Sequence, residues 1–102
     1  MALQKLKVTF SKTHDMRFTS HLDLVRLFQR ASRRAGLPVE ITKGYSPHLK
    51  ISISRALKLG VESPAEEAIF YMDQVLDAGY FLKAINEKLP HGLSVLKTEE
   101  IK

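Results

Sequence analysis

Ser20-His21-Leu22-Asp23-Leu24-Val25-Arg26-Leu27-Phe28-Gln29-Arg30-Ala31-Ser32-Arg33-Arg34-Ala35-Gly36-Leu37-Pro38 is a helix written with both of its ends. Ser20 is a good N-cap, because its hydroxyl can accept from a free amide of the first turn. Asp23, three residues on, is a weak capping-box partner. The apolar residues Leu24, Leu27, Phe28, Ala31 and Ala35 recur every three or four positions, which gathers them on one helical face. Gly36 supplies the left-handed stop and Pro38 prevents continuation.

The elements on either side are strands. Leu3 to Phe10 alternates, with Leu6, Val8 and Phe10 on one face. Ser11 to Thr19 is polar and reads as a turn. After the helix, Val39–Thr42 reads as a strand, residues 43–48 as a loop by their Gly and Pro, and Lys50–Ser54 as a short strand with Ile51 and Ile53 on one face. Glu67–Asp73 reads as a buried strand. Leu76–Leu89 reads as a second helix, with Leu76, Tyr80, Ala84 and Ile85 inward, ended by Pro90-His91-Gly92. Leu93–Lys97, extending toward Ile101, closes the chain as a strand. The order predicts an α+β fold, a ferredoxin-like βαββαβ sandwich with two helices on one face of an antiparallel sheet.

Residues 1–102 are the length of one domain. Hydrophobic residues at 44% and charged residues at 26% exclude a disordered or fibrous chain. No apolar run approaches the ~18 residues that span a bilayer. The first ten residues alternate charge with apolar residues and do not read as a secretory signal. The absence of cysteine excludes disulfides, thiolate zinc sites and Cys-ligated iron–sulfur clusters within these residues. A cytoplasmic location is expected.

The net charge of +5 is unevenly spread. Residues 1–60 hold twelve Lys and Arg against three Asp and Glu, a balance of +9. Residues 61–102 hold four against eight, a balance of −4. One part of the surface is therefore expected to attract a polyanion.

The first helix carries Arg26, Arg30, Arg33 and Arg34. Positions 26, 30 and 33 line one stripe, and no carboxylate stands four residues on. Planar guanidinium groups suit phosphate oxygens, so the stripe reads as an RNA or phosphate contact. The plainer reading is a solvated face opposite the core. The loop adds Lys43, Tyr45, His48 and Lys50, with Arg55 and Lys58 beyond it. Tyr45 is a candidate for stacking on a base and His48 for a phosphate contact. Equally, Tyr45 plugs the core and Pro47 stiffens the turn. Arg17, Ser20 and His21 surround the helix start, a candidate anion site, or else Ser20 only caps. Lys83, Lys88, Glu87 and Asp77 read as a solvated face of the second helix. His14, His21 and His48 match no metal-ligand spacing. Metal-independent RNA cleavage by His21 or His48 is the one enzymatic alternative, and no convincing catalytic constellation or cofactor site is expected.

Two blocks together carry a resemblance: Arg17-Phe18-Thr19-Ser20-His21-Leu22-Asp23-Leu24 and Arg30-Ala31-Ser32-Arg33-Arg34-Ala35-Gly36-Leu37-Pro38. Gly44-Tyr45-Ser46-Pro47-His48, Lys50-Ile51-Ser52, Leu57, Gly60-Val61-Glu62-Ser63 and Glu66 continue it. From about Lys7 to Val95 the chain resembles the radical-SAM-linked family of uncharacterised bacterial proteins. Tyr45 stands where Phe is usual, Thr42 where Ser is common and Leu49 where Pro is common. The resemblance implies an accessory domain found beside, or fused to the C-terminus of, a radical SAM protein, and an architecture often longer than 102 residues. The missing cysteines agree with an accessory role. The expected function is RNA binding, to tRNA or rRNA, on behalf of that partner. The alternative is a module that docks the radical SAM protein itself through the same basic surface.

Overall fold

The computed structural model describes residues 2–53 and 63–101. Its elements are β1 (Gln4–Lys12), a 3₁₀ turn (His14–Phe18), α1 (His21–Arg34), β2 (Ile51–Ile53), β3 (Ser63–Met72), α2 (Ala78–Asn86) and β4 (Leu93–Ile101). The strands form one sheet in the order β2-β3-β1-β4, and every neighbouring pair is antiparallel. β1 and β2 therefore flank β3, while β3 and β4 flank β1. Each helix crosses from one strand to another with a strand of the other unit between them, which is the split βαβ arrangement of a ferredoxin-like fold.

α1 forms as its sequence predicts. The Ser20 hydroxyl accepts from the Asp23 amide at 3.1 Å, and Gly36 takes φ +68 just after the last turn. Leu24, Phe28 and Ala31 are buried against the sheet. On β1 the buried positions are Leu6, Val8 and Phe10, and on β3 they are Ala68, Phe70 and Met72. Phe10, Phe28, Phe70 and Phe81 meet edge to face, with successive centroids 5.0, 5.6 and 5.0 Å apart. This aromatic chain ties β1, α1, β3 and α2 into one core, each contact adding ~0.5–1.5 kcal/mol beyond the area buried.

Three sequence expectations change. The expected strand Val39–Thr42 supplies only isolated bridges, Val39 to Met72 and Ile41 to Leu49. β1 occupies one edge of β3, so a single edge is left for all the chain between the helix and β3. Glu40 donates to the Tyr71 carbonyl, Tyr71 donates to the Lys50 carbonyl and β2 continues beyond. The two expected strands thus share one lane, with residues 41–49 looped out of it.

β3 is buried on one face only, since Ile69 and Tyr71 remain half exposed; both helices lie on the opposite side. α2 is shorter than expected and rotated. Asp77 caps it, accepting from the Tyr80 amide at 3.0 Å, and Phe81 and Ile85 are the buried pair. Tyr80, expected inward, is 55% exposed. One wide aromatic position per turn enters the core here, and Phe81 takes it against Phe70.

Candidate functional site

α1 and α2 lie side by side on the covered face of the sheet, and a groove runs between them. One cavity, of about 370 Å³, is lined by Leu27, Arg30, Ala31 and Arg34 of α1 and by Glu87, Lys88, Leu89 and Pro90. A second, of about 340 Å³, continues from it through Arg34, Glu87 and Lys88 to Ala35, Tyr80, Lys83 and Ala84. A third hollow continues the other way, sharing Leu27 and Arg30 and adding Arg26, Asp23, Asp15, Phe18 and Thr19.

The structure therefore selects among the arginines. Arg26, Arg30 and Arg34 stand four residues apart and follow one ridge of the helix for ~12 Å, and all three line this continuous hollow. The predicted stripe took Arg33 as its third member. Arg33 is exposed but lines none of the three hollows. The row is not uniform in charge. Arg26 pairs with Asp23 at 3.6 Å, with both side chains about 60% exposed, a weak pair. Arg30, Arg34, Lys83 and Lys88 form no such pair among the described residues. Glu87 is the one carboxylate lining either inter-helix cavity.

Lys83, Lys88 and Glu87, read from sequence as a solvated face, are thus the second wall of the groove. No local signal links them to Arg34, because the two helices are brought together by the core beneath them.

The remaining predicted residues lie elsewhere. Tyr45 does not plug the core: it is fully exposed at the tip of the loop, with Lys43 beside it. His48 is exposed and held locally, its Nδ1 2.8 Å from the Ser46 carbonyl and its amide donating to Thr42 Oγ1. Lys50 places its Nζ 4.6 Å from the centroid of the Tyr71 ring, and Lys5 lies over the same ring at 5.6 Å. Tyr71 follows Phe70 on β3 and so faces the open side of the sheet. Lys50 is therefore across the sheet from the arginine row, and the two do not form one track. Arg55 and Lys58 lie outside the described residues.

At the start of α1, Ser20 acts as the cap already described. Arg17 donates to the His14 carbonyl at 3.2 Å and stacks over Phe18, with its guanidinium carbon 4.5 Å from the ring centroid. His21 Nδ1 is buried without a hydrogen-bond partner. No hydrogen bond or ring contact joins His21 to His48 among the described residues. His14 instead stacks on His91 with centroids 4.9 Å apart. No three His, Cys, Asp or Glu side chains converge in metal-binding geometry among the described residues.

One charged group that the sequence reading passed over supports the site from below. Lys12 continues the inward alternation Leu6, Val8, Phe10 and is fully buried. Its Nζ donates to the Thr19 carbonyl at 2.9 Å, immediately before the α1 cap. Burial pushes its ammonium below the usual lysine range of 10.5, while the charge of buried Glu66 opposes that shift. Lys12 thereby ties the entry of α1 to the end of β1.

One comparison places the chain. Residues 5–102 match the model of a family described as "Uncharacterized protein conserved in bacteria (DUF2344)". A search of curated proteins returns no match. Among the described residues no helix is long and apolar enough to cross a membrane.

Proposed function

The chain belongs to this bacterial family, and we propose that it is a non-catalytic accessory domain that holds RNA through the groove between α1 and α2 and presents it to a radical SAM partner. The observation that carries this reading is the convergence of Arg30 and Arg34 of α1 with Lys83 of α2 and Lys88 of the turn that follows it, against Glu87 as the opposing charge. Unpaired cations facing one another across a groove raise the local potential for a polyanion more than the same cations spread over a surface. The radical SAM partner rests on the resemblance of the Arg17–Leu24 and Arg30–Pro38 blocks, and tRNA or rRNA as the ligand on the basic residues.

Fluorescence anisotropy with labelled tRNA, titrated at several salt concentrations, tests the reading. Binding should weaken with salt at roughly one unit of log–log slope per phosphate neutralised. Reversing Arg30 and Arg34 to Glu should weaken binding about 100-fold at moderate salt, while Arg33→Glu, which lines none of the hollows, should weaken it much less. Absence of binding at low salt sinks the proposal.

A second reading, docking of the radical SAM protein, is favoured by Phe18 and Leu22, which are 55% and 57% exposed beside the Asp23 end of the groove. Apolar anchors of this kind serve protein interfaces rather than phosphates. Co-purification of the two proteins, lost on Phe18→Ala with Leu22→Ala and kept on Arg30→Glu with Arg34→Glu, would support docking there.

A further inference from the structure

We infer that the groove between α1 and α2 takes an unpaired strand, with a base laid on Tyr80 and the backbone phosphates on Arg30 and Arg34. This rests on the RNA reading and names the form of RNA that fits. The first ground is the apolar part of the lining. Beside the cations, the two cavities are lined by Leu27, Ala31, Ala35, Ala84, Leu89 and Pro90. A duplex buries the faces of its bases and offers a protein phosphates, sugar hydroxyls and base edges, none of which gains from an apolar lining. An unpaired strand exposes base faces, which do gain, and stacking on an aromatic ring tolerates any base.

The second ground is size. The two cavities, of about 340 and 370 Å³, fall in the ~300–1,000 Å³ range of small-ligand clefts. Each hollow is thus of a size to take one nucleotide at a time.

The third ground is how charge and aromaticity are arranged. Tyr80 is exposed at the Lys83 end of the groove, where it is available for stacking. Glu87 lines both cavities beside Arg34 and Lys88, and Arg30 or Lys83 adds a third cation in each, so cations outnumber the carboxylate where the phosphates would lie. At the far end Asp15 and Asp23 line the hollow and turn a polyanion away. The bound stretch is therefore short, confined to the region from Tyr80 to Arg30.

The test compares two labelled probes with the full chain by anisotropy: an unstructured single-stranded RNA of twelve nucleotides, and the same strand annealed to its complement. The single strand should bind at least ~10-fold tighter, with a salt slope of ~0.7 per phosphate contacted. Tyr80→Ala should weaken single-strand binding ~5- to 100-fold and Tyr80→Phe should preserve it, as expected for stacking. Tyr80 is on the surface, so circular dichroism of both variants should match the parent. Equal or tighter duplex binding, or full affinity in Tyr80→Ala, overturns the unpaired-strand inference and leaves RNA binding standing. No binding of either probe overturns the RNA reading with it and leaves an acidic protein segment as the groove's occupant.

Discussion

The two sides of the sheet treat their cations differently. On the open side, Lys7 stands 3.3 Å from Glu67 and 3.7 Å from Glu99, Lys97 stands 3.8 Å from Glu99, and Lys5 and Lys50 share the ring of Tyr71. On the helix side, Arg30, Arg34, Lys83 and Lys88 share Glu87. The acidic second part of the sequence supplies β3 and β4, and their outward carboxylates fall against the lysines of β1. Segment charge therefore says little about where a potential survives. What counts is which cations the topology leaves without a carboxylate across from them.

The largest expected effect is on stability and concerns Lys12, the one cation that points from β1 into the covered side. Lys12→Met removes the hydrogen bond to Thr19 and the charge opposite Glu66. Losing a part-buried hydrogen bond from a charged donor should cost about 1.5–3 kcal/mol, read as a lower urea midpoint with an unchanged slope. An unchanged midpoint would mean that the buried ammonium contributes nothing.

Next comes the contrast between the two sides in binding. Arg30→Glu with Arg34→Glu should lower RNA affinity about 100-fold at moderate salt, while Lys5→Glu with Lys97→Glu, equal in charge change, should lower it only a few-fold. Equal losses from the two pairs would show that the protein binds through net charge and that the groove has no special role.

The smallest effect sharpens the comparison within β1 itself. Lys7 is drawn above 10.5 by its hydrogen bond to Glu67 and by the charges of Glu67 and Glu99, so its stabilising contribution is present below 10.5 and lost as pH rises through its folded value. Lys12 is lowered by burial, so its ammonium costs stability at neutral pH, and that cost is relieved as pH rises from its folded value toward 10.5. In alkaline unfolding curves, Lys7→Met should remove a loss of stability above 10.5, and Lys12→Met should remove a gain below it. Parallel curves for the two variants would contradict the opposite signs.

Much of this was legible in the residues. The Ser20 cap, the Leu24–Phe28–Ala31 spacing and the Gly36 stop are local signals, and α1 begins and ends where they place it. The alternation of β1 was legible too, and carried two residues further it would have pointed Lys12 inward. Val39–Thr42 has residues that suit a strand, but it shares the outer edge of β3 with Ile51–Ile53, so only Val39 and Glu40 reach β3 before the chain loops out. Tyr80 and Phe81 are both plausible inward residues on a short amphipathic helix, and the contact with Phe70 decides between them.

What the sequence by itself determined is everything set within a few residues: the helix and its caps, the strand periodicity, the βαββαβ order and the presence of an arginine row. Only the tertiary structure decided that Arg34, rather than Arg33, completes that row at the groove, that Lys83 and Lys88 face it, and that Lys50 lies across the sheet. Those outcomes depend on which face of each helix meets the core. That choice is made by burying Phe28 and Phe81 against Phe70, residues far apart in the chain.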